Sequence, residues 1–419
     1  MSNTRKKNFL SRAWGKLGPG LVTGSSDDDP SGIATYSQAG AAFGLSTLWA
    51  TLISFPLMAG MQEMSARIGL VTETGLTGTL KKNYPKPVLY LMLLFSFPAI
   101  VLNIGADIAG MGAVGNLLFP QIDAMYFSVF FTMMLLILII YLPYQKIAAI
   151  LKYLCLALLL YFFVPFMYKQ DWLLIVKSTF IPHIEFNESF IAMIVAIFGT
   201  TISPYLFFWQ ATMEVEEMKH KKKHIMVNRK IIHEMKSDVD FGMSFSGIVA
   251  WFIILTTGTV LYNAGIHNID TVEQAAAALK PLAGNIAYLL FAVGIIGTGL
   301  LAIPVLSGAL SYIFCETFDW KEGLDNKFHE AKPFYTIIII SLLIGLSLNY
   351  FGINPIKALV YSAVLYGMTA PVIIAIILHI CNNKKVMGDF TNGKLSNFLG
   401  FSTLIIMTVA TIALIYLQF

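Results

Sequence analysis

The chain has 419 residues, 57% of them hydrophobic and 12% charged, with a formal net charge of +4. That balance excludes a soluble globular protein of this size and points to an all-α integral membrane protein. Its three cysteines, Cys155, Cys315 and Cys381, lie in or beside separate apolar segments. They lack the paired spacing of a zinc site and are odd in number, so they read as small buried apolar groups.

The N-terminus, "MSNTRKKNFLSRAWGKLGPG", is basic and lacks the apolar core and cleavage site of a signal peptide, so residues 1–17 are expected to stay in the cytoplasm. The first span, 18–43, is interrupted: "TGSSDDDPSGIA" sets Asp27, Asp28 and Asp29 directly before Pro30, with Gly24 and Gly32 close by. One aspartate at a bilayer centre costs roughly 2.5–3.5 kcal/mol, so three in a row need a compensating partner or a water-filled cavity. The second span, 46–69, carries Glu63 and Arg67 one turn apart, an expected intrahelical ion pair. The third, 87–118, holds Asp107 in "NIGADIAGMG", which by itself reads as an acid packed against neighbouring hydroxyls. A fourth and a fifth follow at 125–142 and 147–168.

The sixth span, 189–212, is interrupted as well: "IVAIFGTTISPYLFFWQAT" places Gly199, Thr200, Thr201 and Ser203 around Pro204, with Tyr205 next. Glu214, Glu216 and Glu217 end it, either bordering an inner exit or forming a solvated helix end. "MKHKKKHIMVNRKIIHEMK" is basic enough for an acidic surface but reads as an orienting cytoplasmic loop rather than a nucleic-acid patch. Its lysines also argue against metal capture by His220, His224 and His233. Five more spans are expected at 239–263, 283–314, 334–351, 355–380 and 397–418. With eleven spans and the N-terminus inside, about 24 of the 28 Lys and Arg fall on inner segments. The outer segments hold Lys169, Lys177, Lys280 and Lys357, and the C-terminus falls outside.

Proline removes a backbone donor and clashes with the preceding turn, so the first and sixth helices should open at their middles. Open backbone at membrane depth is tolerated where it is buried in protein or lines a cavity. Two such interrupted spans, in corresponding positions of two five-span halves, mark the midplane binding site of an inverted-repeat transporter. Asp29, beside Pro30, is expected to face that cavity. Asp27 and Asp28 are expected to cap amides or line the aqueous approach, and Thr200, Thr201 and Ser203 to add hydroxyl oxygen alongside freed carbonyls. Neither break contains Cys, His or Met, so an all-oxygen site favours hard divalent cations such as Mg²⁺ and Mn²⁺.

"GPGLVTGSSDDDPSGIATYSQAGAAFGL" together with "GTTISPYLFFWQ" resembles the NRAMP divalent-metal transporter family, and more closely its NRAMP-related branch of magnesium and manganese transporters, over nearly the whole chain. The resemblance implies a LeuT-type 5+5 inverted repeat with the metal held at the breaks of helices 1 and 6. The family's Asp-Pro-Gly-Asn signature stands here as Asp29, Pro30, Ser31 and Gly32, keeping the aspartate and losing the asparagine ligand. Its Met-Pro-His stands as Ser203, Pro204 and Tyr205, and Trp209 replaces a second histidine. Loss of the thioether removes a soft-metal preference, and loss of both histidines removes groups associated with proton transport. Asp107 looks like the family's proton-pathway acid, but Gly110 stands where a glutamate is usual. Ser362 and Ala363 stand where a Ser-Gln pair often faces the metal, which weakens a ligand from the tenth helix.

The expectation is therefore one membrane domain: a first repeat at 18–168, a second at 189–380 and an additional helix at 397–418. It would act in the plasma membrane as a secondary transporter of divalent cations, with Asp29, Thr200 and Ser203 as ligands. Asp27, Asp28, Thr201 and Tyr205 would lie around the site, and proton coupling would be absent or run through Asp107. No cofactor beyond the transported ion, no nucleic-acid partner and no particular oligomeric state is implied. An organic-cation or amino-acid carrier of the same fold and a passive cation channel are the rival readings. No His-Glu-x-x-His, nucleophile–base pair or P-loop suggests an enzyme or direct ATP coupling.

Overall fold

The computed structural model describes residues 19–142, 160–220, 227–324 and 326–418, and all regular structure among them is helical. In chain order the main helices are α1 (Pro19–Asp27), α2 (Pro30–Phe43), α3 (Leu48–Thr72), α4 (Lys86–Leu118), α5 (Ala124–Tyr141) and α6 (Glu188–Thr201). They continue as α7 (Pro204–His220), α8 (Arg229–Val260), α9 (Ala287–Phe318), α10 (Lys332–Leu348), α11 (Pro355–Asn382) and α12 (Lys394–Gln418). The expected fifth span lies largely outside the described residues, together with Cys155, residues 1–17 and 221–226 of the basic run. Its described end is a short helix, Leu160–Phe163, and a 3₁₀ turn, Val164–Met167.

Both predicted interruptions are present, and they share a cause. Pro56, Pro98, Pro304 and Pro371 all sit inside helices that run on. Each of these follows an apolar residue: Phe55, Phe97, Ile303 and Ala370. At the breaks the residue before proline is Asp29 or Ser203, whose side chain can satisfy backbone groups that an ended helix leaves open. Asp29 is extended (φ −72°, ψ 173°) and caps α2 by accepting from the Gly32 amide at 2.7 Å. α8 differs from expectation at its start, beginning at Arg229 rather than near 239. Its first turns are charged, so they prolong the helix without contributing to an apolar span.

Eight of the described helical segments are long and apolar enough to cross a bilayer. Two expected spans fall short for visible reasons: the first is divided into pieces of 9 and 14 residues, and the 25-residue α3 carries Gln62, Glu63 and Arg67. α8 lies along both α1 and α2, while α3 lies along α7, so each broken helix packs on a helix from the other half of the chain. α4 pairs with α5, α9 with α10, and α6 with α11. Toward the periphery, Phe130 and Ile137 of α5 and Ile405 and Ile412 of α12 are exposed, as a lipid-facing surface requires.

Close backbone approach sets these crossings, as is usual between membrane helices. A Cβ at Gly24 would stand 2.3 Å from the Gly242 carbonyl oxygen of α8, and one at Gly199 would stand 2.1 Å from the Ala363 carbonyl oxygen of α11. Gly199→Leu should therefore lower thermal stability in detergent by at least about 1–3 kcal/mol, the usual cost of overpacking, or prevent folding. Gly393→Ala, with nothing within 4 Å of the added carbon, should stay within about 0.5 kcal/mol of wild type.

Candidate functional site

Proline at position i cannot donate to the carbonyl of i−4, so Pro30 leaves the Ser26 carbonyl without its helical partner and Pro204 does the same for Thr200. Hydroxyls take up both. Tyr205 donates its phenol to the Ser26 carbonyl at 3.1 Å, and Ser203 donates to the Thr200 carbonyl at 2.6 Å. Tyr205 thereby joins the end of α1 to the start of α7. The carbonyls expected to be free each carry one hydrogen bond and keep one lone pair.

Asp29 lies at the meeting point of the four half-helices and is 2% exposed. Its Oδ1 accepts from the Ser31 hydroxyl at 2.6 Å and the Gly32 amide at 2.7 Å; its Oδ2 accepts from the Asn103 side-chain amide of α4 at 2.9 Å. The Asn103 carbonyl oxygen in turn accepts from the Ser362 hydroxyl of α11 at 2.9 Å. A chain of side chains thus links the first break to the third and tenth spans. Sequence reasoning missed Asn103, although it stands one turn before Asp107 on the same helix face.

Thr200, on the facing end of α6, is buried, and its hydroxyl lies 3.2 Å from where a Cβ at Gly32 would be. Thr201 turns back to donate to the Ile197 carbonyl of its own helix at 2.9 Å. Asp27 and Asp28, expected along an aqueous approach or capping amides, are instead buried, and one hydroxyl serves both: Ser246 Oγ of α8 lies 2.7 Å from Asp27 Oδ2 and 3.1 Å from Asp28 Oδ1. Asp107 is buried near Asp29 and faces the Ser31 backbone amide at the start of α2. Trp209 is buried against Tyr312 with ring centroids 6.4 Å apart. No group of three or more His, Cys, Asp or Glu gathers in metal-holding geometry among the described residues. Any ion at Asp29 would therefore draw mainly on hydroxyl, carbonyl and water oxygen.

Cavities among the described residues differ in size, and one of about 370 Å³ lies beside Thr51, Phe55, Ile248 and Trp251. A crevice lined by Ala34, Ser37, Gly110, Ile269, Ile356 and Leu359, among others, measures about 10 Å³, at the threshold for one water. A vestibule of about 500 Å³ lies between the ends of α3, α7 and α9 and the short helix Leu76–Asn83, lined in part by Lys81, Lys219, Glu316 and Glu322. Glu316 accepts from the Gly78 amide at 2.7 Å. Glu214 is buried and accepts from Gln210 at 2.9 Å, while Glu216 pairs with Lys219 at 3.0 Å. The expected ion pair is formed, Arg67 to Glu63 at 3.1 Å, and Arg67 also holds the Phe390 and Thr391 carbonyls and Asn392. Cys315 and Cys381 are buried free thiols.

Residues 20–417 match the family described as natural resistance-associated macrophage protein-like, Nramp. The "Divalent metal cation transporter MntH" of Caldanaerobacter subterraneus subsp. tengcongensis is 24% identical, the match covering 100% of this chain and 97% of that protein. A crystal structure of the Eremococcus coleocola manganese transporter superposes with a TM-score of 0.74 at 18% identity, covering 98% of this chain and 88% of that one. MhsT in complex with L-phenylalanine superposes at 0.65 and 14% identity over 96% and 98% of the two chains. The all-helical, LeuT-type fold is shared across these structures.

Burial, and next the nearby Glu316 carboxylate, push Glu322 in the loop after α9 up to about 8 from an ordinary 4.5. Between those values the folded chain keeps a proton that the unfolded chain has lost, so Glu322 makes stability fall as pH rises toward about 8. Glu322→Gln should match the wild-type melting temperature near pH 5 and exceed it at pH 8–9, as pH-resolved thermal melts would show.

Proposed function

The chain belongs to the Nramp family, and from that footing we propose that it is a secondary transporter carrying divalent cations, Mn²⁺ and Mg²⁺ foremost, around a midplane site built on Asp29. The observation that carries this reading is a buried carboxylate at the junction of two opened helices, where unwound backbone and an anionic side chain together suit a desolvating cation. The names of its relatives, divalent metal cation and manganese transporters, point the same way and place it with carriers rather than enzymes.

Ligand chemistry supports hard ions. With Ser203 and Tyr205 where the family has sulfur and imidazole, Asp29, Thr200 and Ser203 offer only oxygen, which suits Mg²⁺, an ion that sheds its water reluctantly. Uncoupling from protons is supported by Gly110, whose absent Cβ would meet the apolar Leu359 side chain at 3.1 Å; Asp107 is the remaining acid of that helix. Asp27, Asp28, Thr201 and Tyr205 support the site from behind, Tyr205 by closing the first break. The reciprocal packing of α8 on α1 and α2 and of α3 on α7 supports repeats at 18–168 and 189–380, with 397–418 added outside.

Alternating access is supported by the contrast between the 10 Å³ crevice and the 500 Å³ vestibule. Lys81, Lys82 and Lys219 at the vestibule support reading that side as cytoplasmic, with the N-terminus inside and, in this reading, the plasma membrane as the site of action. In proteoliposomes, saturable uptake of Mn²⁺ and Mg²⁺ should proceed without internal acidification. Asp29→Ala should reduce it by more than the roughly 10–100-fold that even an outer-shell partner of a metal is worth. Uptake by a well-folded Asp29→Ala variant equal to wild type would remove the site, and acidification would restore proton coupling.

A further inference from the structure

We propose that Asn103 is itself a ligand of the transported divalent cation, supplying the amide oxygen that position 32, a glycine, cannot; this rests on the Asp29 site proposed above. At Gly32 a Cβ would already stand 3.2 Å from the Thr200 hydroxyl and 3.4 Å from the Asp27 carbonyl, so the two broken helices leave little room for an asparagine side chain there. Asn103 approaches from α4 instead, completely buried, with its amide nitrogen 2.9 Å from Asp29 Oδ2. It therefore borders the very oxygen on which a cation would rest.

An N–H group facing a cation is repulsive, but Asn103 has a remedy built around it. Its amide is nearly symmetric in shape, so a half-turn of the terminal group exchanges N–H₂ for C=O at the same position. The partner at its other end tolerates either face. Ser362 Oγ lies 2.9 Å from Asn103 Oδ1 and 2.7 Å from the Leu359 carbonyl, and its single proton can be given to only one of them. With Asn103 turned, Ser362 donates to Leu359 and accepts from the Asn103 N–H₂, a bond that replaces the one Asn103 gives up at Asp29 Oδ2, where the ion takes its place. The turned carbonyl then points at an ion held by Asp29, giving it a second protein oxygen from a different helix. Ser362, placed by sequence where a metal-facing pair is usual, acts as the switchable support of this ligand.

The test is Mn²⁺ binding to the purified full-length chain by calorimetry, with melting temperature recorded for each variant. Asn103→Ala should raise Kd about tenfold or more, within the range of metal-site partners, and Asn103→Asp should restore binding, since a carboxylate oxygen of equal reach replaces the amide oxygen. Ser362→Ala should weaken binding less than Asn103→Ala. Binding by Asn103→Ala as tight as wild type or tighter would overturn the proposal, because the amide would then only occupy Asp29. If Asn103→Ala does not fold, Asn103→Asp decides: undiminished Mn²⁺ affinity supports a ligand, and lost affinity in a folded protein overturns it. Asp29→Ala separates the two readings. Binding unchanged in that variant defeats the metal site as a whole, whereas binding lost there but kept in Asn103→Ala defeats the assignment of Asn103 alone.

Discussion

Two backbone carbonyls, those of Ser26 and Thr200, set the terms for the centre of this molecule. Each loses its helical donor to a proline four residues on, and inside a bilayer an unpaired carbonyl costs several kcal/mol. The chain answers with two hydroxyls, Tyr205 across the break and Ser203 within it. Once these bonds exist, the half-helices can end without water, and Asp29 can be presented at a helix start with its own capping bonds. The carboxylate, its asparagine neighbour and the hydroxyls around them are all placed by that solution.

Much of this was legible in the sequence because it depends on adjacent residues. Within the spans, the prolines after Asp29 and Ser203 stand where a helix breaks, while Pro56, Pro98, Pro304 and Pro371, after Phe, Ile or Ala, lie in helices that run on, although Phe119–Pro120 and Ile181–Pro182 follow helix ends. The Glu63–Arg67 pair was equally local. The partnership of Ser246 with Asp27 and Asp28 was not, since more than 200 residues separate them and nothing beside Ser246 marks it. α8 starts early because its first turns are charged and invisible to a search for apolar runs. Asn103 stood between these cases: a lone amide in an apolar span, i to i+4 with Asp107, is a signal that only a reading of helix faces would have picked up.

The three consecutive aspartates turn out to be separate assignments rather than a cluster with one task. Asp29 belongs to α2 and turns toward α4, whereas Asp27 and Asp28 turn toward α8. Their division follows from the break itself: the chain changes direction between Asp28 and Pro30, so neighbouring side chains leave on different sides. The site thereby keeps one carboxylate for its centre and gives the other two to the packing of the seventh span.

The bond from Tyr205 to the Ser26 carbonyl also has a mechanical meaning. It fastens the last turn of α1 to the first turn of α7, so the two pieces form a linkage with a shared pivot rather than two independent levers. A tilt of either piece alone would strip that carbonyl of its partner in a low-dielectric interior, a loss of at least ~1–3 kcal/mol that joint rotation avoids. Any motion at the two breaks would thus be geared, with a single phenol as the gear tooth.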